Sequence, residues 1–207
     1  RGLGDVYKRQ VYMRGVLNKE YGLRTGNLLS LLAVYELPQY HKLIYCSDSG
    51  INVAPDLEQK KVIVRSALNA MKNLGFENPN VAILTANEMV DPKVISTVDA
   101  AALVEMVKNG ELPACTAEGP IAFDVAFDKH AAEHKGIDSK IAGEVDLLIF
   151  PNIEAGNIVG KSWLQFNGAK WAGIVLGAAA PVILGSRSDT PEMKINSIAL
   201  ACLAAAK

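Results

Sequence analysis

The segment richest in chemical groups is Leu184-Gly185-Ser186-Arg187-Ser188-Asp189-Thr190, which follows an apolar run and leads into a helical pattern starting at Pro191. A strand-to-helix turn of this kind brings hydroxyls, a guanidinium and a carboxylate to one point. Arg187 can hold a phosphate through two parallel hydrogen bonds, Ser186 can donate to a developing oxyanion, and Asp189 or Glu192 can accept a proton. The same residues also fit an ordinary N-capping loop with a solvated arginine, because Ser, Asp and Thr are common before helices.

A second segment, DLLIFPNIEAGNIVGK from Asp146 to Lys161, reads as an apolar strand, a polar loop and a helix that begins near Gly156. Loop groups at the carboxyl end of a strand are the usual ligand position in open α/β sheets. Backbone N–H groups at the helix start favour a phosphate or a carboxylate there. Gly156, Gly160, Lys161 and Ser162 imitate a phosphate-binding P-loop, but three residues separate the glycines where that motif has four, so no triphosphate loop is expected. Arg14, in YMRGVLNKE, reads by itself as a solvated arginine or the partner of Glu20.

Other reactive residue types carry less. His130-Ala131-Ala132-Glu133-His134 matches an H-x-x-E-H zinc pattern, yet its polar flanks read as a solvated helix end, and no metal is expected. Cys46, Cys115 and Cys202 lack the paired spacing of a zinc site or a disulfide framework, which fits a reducing, cytoplasmic setting. No adjacent His or cationic cluster activates Cys46 or Cys115 as a nucleophile.

The elements that must position these groups follow from the alternation of short apolar runs with longer helical patterns, the mark of an α/β protein with a mainly parallel sheet. Strands are expected at Lys42–Cys46, Asn80–Leu84, Val145–Phe150, Gly173–Leu176 and Pro181–Leu184. Helices are expected at Asp56–Leu74, closed by Gly75, and at Pro92–Lys108, with Asp91 as N-cap and Gly110 as stop. Two more are expected at Asn157–Phe166 and at Pro191–Ala206, the latter capped by Thr190.

The 207 residues hold 21 basic and 22 acidic side chains, mixed along the chain, so no sustained basic face points to nucleic acid or an anionic membrane. The longest apolar stretch, Trp171 to Leu184, is interrupted by Gly177 and Pro181 and falls short of the roughly 20 residues that span a bilayer. The first ten residues, RGLGDVYKRQ, show no amphipathic period, and the chain reads as a fragment.

Taken together, FPNIEAGNIVGK at 150–161, WAGIVLGAAAPVILGSRSDTPEMKINSIAL at 171–200 and YMRGVLNKEYGLRTGNLLS at 12–30 resemble the phosphate acetyl/butyryltransferase family. The likeness runs from about Val11 to the C-terminus, and the SRSD turn looks more like the butyryl branch. The resemblance implies a two-domain α/β fold of the isocitrate/isopropylmalate dehydrogenase type with mainly parallel sheets. Residues 1–25 and 175–207 would belong to an incomplete first domain, with 1–10 foreign to the family pattern, and 26–174 to the second. It further implies that Ser186 and Arg187 lie against the thioester or acyl phosphate, that Arg14 and Arg187 bind phosphate, and that Asn152, Glu154 and Asn157 border the cleft. The acetyl enzymes place an aspartate several residues beyond the Ser-Arg pair, where this chain has Glu192 and Met193, so Asp189 and Glu192 both stand as acid–base candidates.

The implied activity is transfer of an acyl group, butyryl or else acetyl, between coenzyme A and inorganic phosphate, directly in a ternary complex. Coenzyme A is then a substrate, no cofactor is permanently bound, and the expected assembly is a homodimer. A non-catalytic acyl-CoA-binding regulatory module of the same fold is the alternative. A dehydrogenase is disfavoured by the lack of an acidic metal cluster and of a G-x-G-x-x-G turn.

Overall fold

The computed structural model of the chain describes residues 11–186 and 189–205. Six strands, β1 (Ser30–Glu36), β2 (Ile44–Ser47), β3 (Asn80–Leu84), β4 (Thr116–Ile121), β5 (Leu147–Ile149) and β6 (Lys170–Leu176), form one sheet in the order β4-β3-β5-β2-β1-β6. The β4-β3, β3-β5 and β5-β2 pairs are parallel, whereas β1 runs antiparallel to both β2 and β6. The helices are α1, described over residues 11–16, then α2 (Leu57–Asn73), α3 (Ile95–Lys108), α4 (Phe123–Phe127), α5 (Lys129–His134), α6 (Ile153–Phe166) and α7 (Pro191–Ala205).

Helices cover both faces of the sheet, and the period of two along each strand sends alternate side chains into separate cores. From β1, Leu32 and Val34 pack with Val64, Leu68 and Met71 of α2, Leu103 of α3 and Leu200 of α7. Ala33 and Tyr35 pack on the other face with Val125 and Ala126 of α4, Ala132 of α5 and Trp163 of α6. Burial on both faces explains why β2, β3 and β5 read as unbroken apolar runs. Each fully buried Leu or Ile among them contributes about 1.5–3 kcal/mol.

The strand expected at Asn80–Leu84 coincides with β3, and those expected at 42–46, 145–150 and 173–176 correspond to β2, β5 and β6. The strand expected at Pro181–Leu184 does not form. Gly177, at φ +92, reverses the chain, after which Val182 makes one antiparallel bridge to Val175. Pro181 has no N–H with which to extend the ladder.

Helix α2 begins at a capping box in which the Asp56 carboxylate accepts from the Gln59 N–H and the Gln59 side chain accepts from the Asp56 N–H. Gly75, at φ +96, follows its end in the left-handed region that glycine adopts without strain. Helix α3 starts three residues later than expected. Asp91 and Pro92 form a separate turn in which Asp91 accepts from the Lys93 N–H, and Val94 is the N-cap. Helix α7 crosses β6, where the Ser197 hydroxyl accepts from the Gly173 N–H at 3.1 Å. No described helix is long and apolar enough to cross a membrane.

Candidate active site

A cleft of about 210 Å³ opens on the Tyr35 face of the sheet, above β1 and β6. Its walls are the loop after β2, helix α6 and the turn that precedes α7.

The loop after β2 is organised by Asp48, which is 3% exposed. Its carboxylate accepts from the backbone N–H groups of Gly50 (2.9 Å), Ile51 (3.2 Å) and Asn52 (3.0 Å) and from the Asn52 side-chain amide (2.5 Å). Four donors on one carboxylate compensate its burial and fix the loop that follows. The Asn52 amide also donates to the Leu29 carbonyl, and the Ser47 hydroxyl to the Leu31 carbonyl, which ties the loop to β1. Ser49, Gly50 and Ile51 thereby line the cleft.

Helix α6 begins at Ile153, four residues before the expected start, because the Asn152 side chain caps it by accepting from the Ala155 N–H at 2.9 Å. The stretch from Gly156 to Ser162 therefore lies within the helix and forms no phosphate-wrapping loop. Both glycines serve close approach. A Cβ at Gly156 would stand 2.8 Å from the Ser49 Cβ and 2.8 Å from the Phe150 ring, and a Cβ at Gly160 would fall on the Tyr35 hydroxyl. The residues that follow them, Asn157 and Lys161, line the cleft one helical turn apart.

The floor is aromatic. Tyr35 meets Trp163 edge-on, with ring centroids 5.1 Å apart, and stacks with Trp171 at 6.4 Å. The Trp171 indole N–H donates to one Asp189 carboxylate oxygen at 3.0 Å, while the other accepts from the Ser186 backbone N–H at 2.5 Å. Burial pushes the Tyr35 phenol well above its ordinary pKa, and the neighbouring Cys46 and Asp189 groups act in the same direction. Tyr35 therefore stays a neutral O–H near neutral pH.

Of the residues singled out from the sequence, Asn157, Ser186 and Asp189 meet at this cleft. Asn152 is the cap of α6, and Glu154 is exposed on its first turn, outside the cleft lining. Glu192 pairs with Lys170 at 3.1 Å, with its side chain 62% exposed, and does not line the cleft. Arg14 is exposed on α1 and is likewise absent from the lining. Arg187 lies outside the described residues. His130 and His134 are exposed on α5, and among the described residues no group of His, Cys, Asp and Glu is arranged to hold a metal.

Sequence reasoning assigned no role to Tyr35, Ser49, Lys161 or Trp171, all of which line the cleft. The signal that could have found one of them, Lys161, is Gly156-Asn157 followed four residues later by Gly160-Lys161. A repeated glycine-then-polar step at helical spacing marks a helix face pressed against another segment, with polar groups at its edge.

The chain is 43% identical over 94% of its length to the phosphate butyryltransferase of Clostridium acetobutylicum, of which it covers 64%. It is 39% identical over 92% of its length to the phosphate acetyltransferase of Thermotoga maritima, of which it covers 65%. Among solved structures it resembles the branched-chain phosphotransacylase from Enterococcus faecalis V583, with a TM-score of 0.84 and 33% identity, over 93% of this chain and 69% of that one. The chain thus spans about two thirds of the length of these relatives. Residues 3–202 match the phosphate acetyl/butaryl transferase family, and the chain belongs to it.

Proposed function

We propose that this chain carries much of the active site of a phosphate acyltransferase that moves an acyl group, butyryl in preference to acetyl, between coenzyme A and inorganic phosphate. The observation that carries the proposal is the meeting of the Ser186 turn with Asn157 and Lys161 across one cleft, in a chain of this family.

In the proposed reaction both substrates are bound together. A phosphate oxygen attacks the thioester carbonyl, its new C–O bond makes the acyl phosphate, the C–S bond breaks, and coenzyme A leaves as a thiolate. No acyl-enzyme is required. Arg187 and Arg14 neutralise and orient the phosphate, and Ser186 donates to the oxyanion or to the thiolate. Between the two carboxylates considered as proton carriers, Asp189 stands beside Ser186 whereas Glu192 is engaged by Lys170. Asp189 is also a positioning group, since both of its oxygens hold neighbouring N–H groups.

The same proposal includes a two-domain protein of the isocitrate/isopropylmalate dehydrogenase type, acting as a cytoplasmic homodimer. Residues 1–25 and 175–207 would fall in its first domain and 26–174 in its second. Ile195, Ile198 and Leu203, between 53% and 64% exposed on α7, support it by offering an apolar face that a further domain would cover.

The test is thiol release from butyryl-CoA and acetyl-CoA by the full-length protein, with and without inorganic phosphate. Phosphate-dependent release, faster with butyryl-CoA, is expected. Tight acyl-CoA binding without turnover would instead make the protein a non-catalytic acyl-CoA-binding module.

A further inference from the structure

We infer that the α6 wall of the cleft is an anion subsite, in which the Lys161 ammonium and the hydroxyls of Tyr35 and Ser49 hold a phosphate-type group opposite the Ser186 turn. The inference rests on the acyltransferase reading only for the identity of the substrates; the donors themselves are features of the fold.

Tyr35 is 6% exposed and Ser49 5% exposed, and both line the cleft. Neither hydroxyl hydrogen-bonds to another described residue, and neither is sealed from solvent. Buried polar side chains are normally satisfied, so two that line one cleft without a described partner mark the place where a ligand supplies the missing acceptor. Both side chains approach α6 closely, Ser49 through its Cβ at Gly156 and Tyr35 through its hydroxyl at Gly160. Lys161, next to Gly160, has no ion-pair partner among the described residues and supplies positive charge to the same wall.

Asp189 is the carboxylate of the cleft lining. The Asp189 carboxylate is occupied by the Trp171 and Ser186 N–H groups. The raised pKa of Tyr35 keeps its proton available for donation. Two neutral O–H donors and one ammonium match an oxyanion with several acceptor oxygens better than they match a thioester alone. That oxyanion is either inorganic phosphate or a phosphate of coenzyme A.

The experiment is calorimetric titration of this chain with inorganic phosphate, coenzyme A and 3′-dephospho-coenzyme A, for the wild type and for Lys161→Met, Tyr35→Phe and Ser49→Ala. Circular dichroism and Tm establish that each variant is folded. Lys161→Met is expected to weaken anion binding about tenfold or more and Tyr35→Phe several-fold, as for the loss of a charged and a neutral hydrogen bond. Weakened phosphate binding with coenzyme A unchanged identifies the anion as inorganic phosphate. The reverse identifies a coenzyme A phosphate, and 3′-dephospho-coenzyme A then separates the diphosphate from the 3′-phosphate.

Binding of all three probes within twofold of wild type by both Lys161→Met and Tyr35→Phe would overturn the inference, as would a wild-type chain that binds none of them. Thiol release separates this failure from failure of the acyltransferase reading. If the full-length wild type releases no thiol while Lys161-dependent anion binding persists, the reading fails and the subsite stands. If phosphate-dependent release is present and Lys161→Met leaves the KM values for phosphate and coenzyme A unchanged, the subsite fails and the reading stands.

Discussion

Replacing Asp189 by alanine removes the one acceptor that serves both the Ser186 N–H at 2.5 Å and the Trp171 indole N–H at 3.0 Å. A hydrogen bond to a charged acceptor contributes about 1.5–3 kcal/mol when buried. Both bonds here are only partly buried, so together they are worth roughly 2–4 kcal/mol. Trp171→Phe removes only the indole bond and part of the ring, and it leaves the Ser186 turn held. A double-mutant cycle between the two positions should therefore give a coupling of about 1–2 kcal/mol. Urea unfolding followed by far-ultraviolet circular dichroism measures this without depending on the tryptophan lost in one variant. If Asp189→Ala unfolds within about 0.5 kcal/mol of wild type, the carboxylate does not hold the turn, and if the two substitutions add without coupling, the indole bond contributes nothing. A stable Asp189→Ala with abolished turnover would leave Asp189 as a proton carrier and refute the positioning role.

Gly156→Ala forces a Cβ to within 2.9 Å of the Ser49 backbone, so α6 must move away from the loop after β2. Overpacking of this kind costs about 1–3 kcal/mol and should lower Tm by several degrees, whereas an unchanged Tm would show that the helix shifts freely. Lys60 and Asp99 form a 2.7 Å ion pair with side chains 7% and 12% exposed. Lys60→Ala should cost about 3–5 kcal/mol in chemical denaturation, and Lys60→Met with Asp99→Leu should recover most of it; a double variant as unstable as the single one would exclude the stranded charge as the cause. Burial pushes the Cys46 thiol far up and the Cys115 thiol to about 11, while Cys202 is exposed. A disulfide reagent at pH 8 should therefore label one of the three cysteines quickly in the native protein and all three in denaturant; rapid labelling of Cys46 would contradict its burial.

The parallel half of the sheet was legible because its strands are short apolar runs between helical patterns, and Asn80–Leu84 needed no adjustment. Strand β1 escaped notice because SLLAVY is buried or half-buried on both faces and shows no alternation, and its pairing partner on one side is the distant β6. Strand β4, TAEGPI, contains Gly, Pro and Glu and forms by pairing with β3 at the sheet edge, against its local propensities. The start of α6 was misplaced because Pro151 and Gly156 read as turn residues; the reason for a glycine inside the helix is the approach of Ser49, which no local pattern records. At the candidate site, Ser186 and Asp189 were singled out because their residue types suit a strand-to-helix turn, and Asn157 through the family resemblance. Tyr35, Ser49 and Trp171 come from elements that meet only through the sheet order. Lys161 lies in the segment Asp146–Lys161, and its place in the cleft lining depends on the packing of Gly160 against Tyr35, which no local pattern records.

The antiparallel placement of β1 between β2 and β6 has a consequence for a chain still being made on the ribosome. Ser30–Glu36 can pair with Ile44–Ser47 almost as soon as both emerge, but its other edge pairs along its whole length with Lys170–Leu176. At ordinary elongation rates that partner arrives on the order of ten seconds later. Throughout the interval the nascent protein exposes an unpaired edge whose side chains are almost all destined for the core. Strand β1 is thus the segment most in need of a chaperone until β6 has been translated.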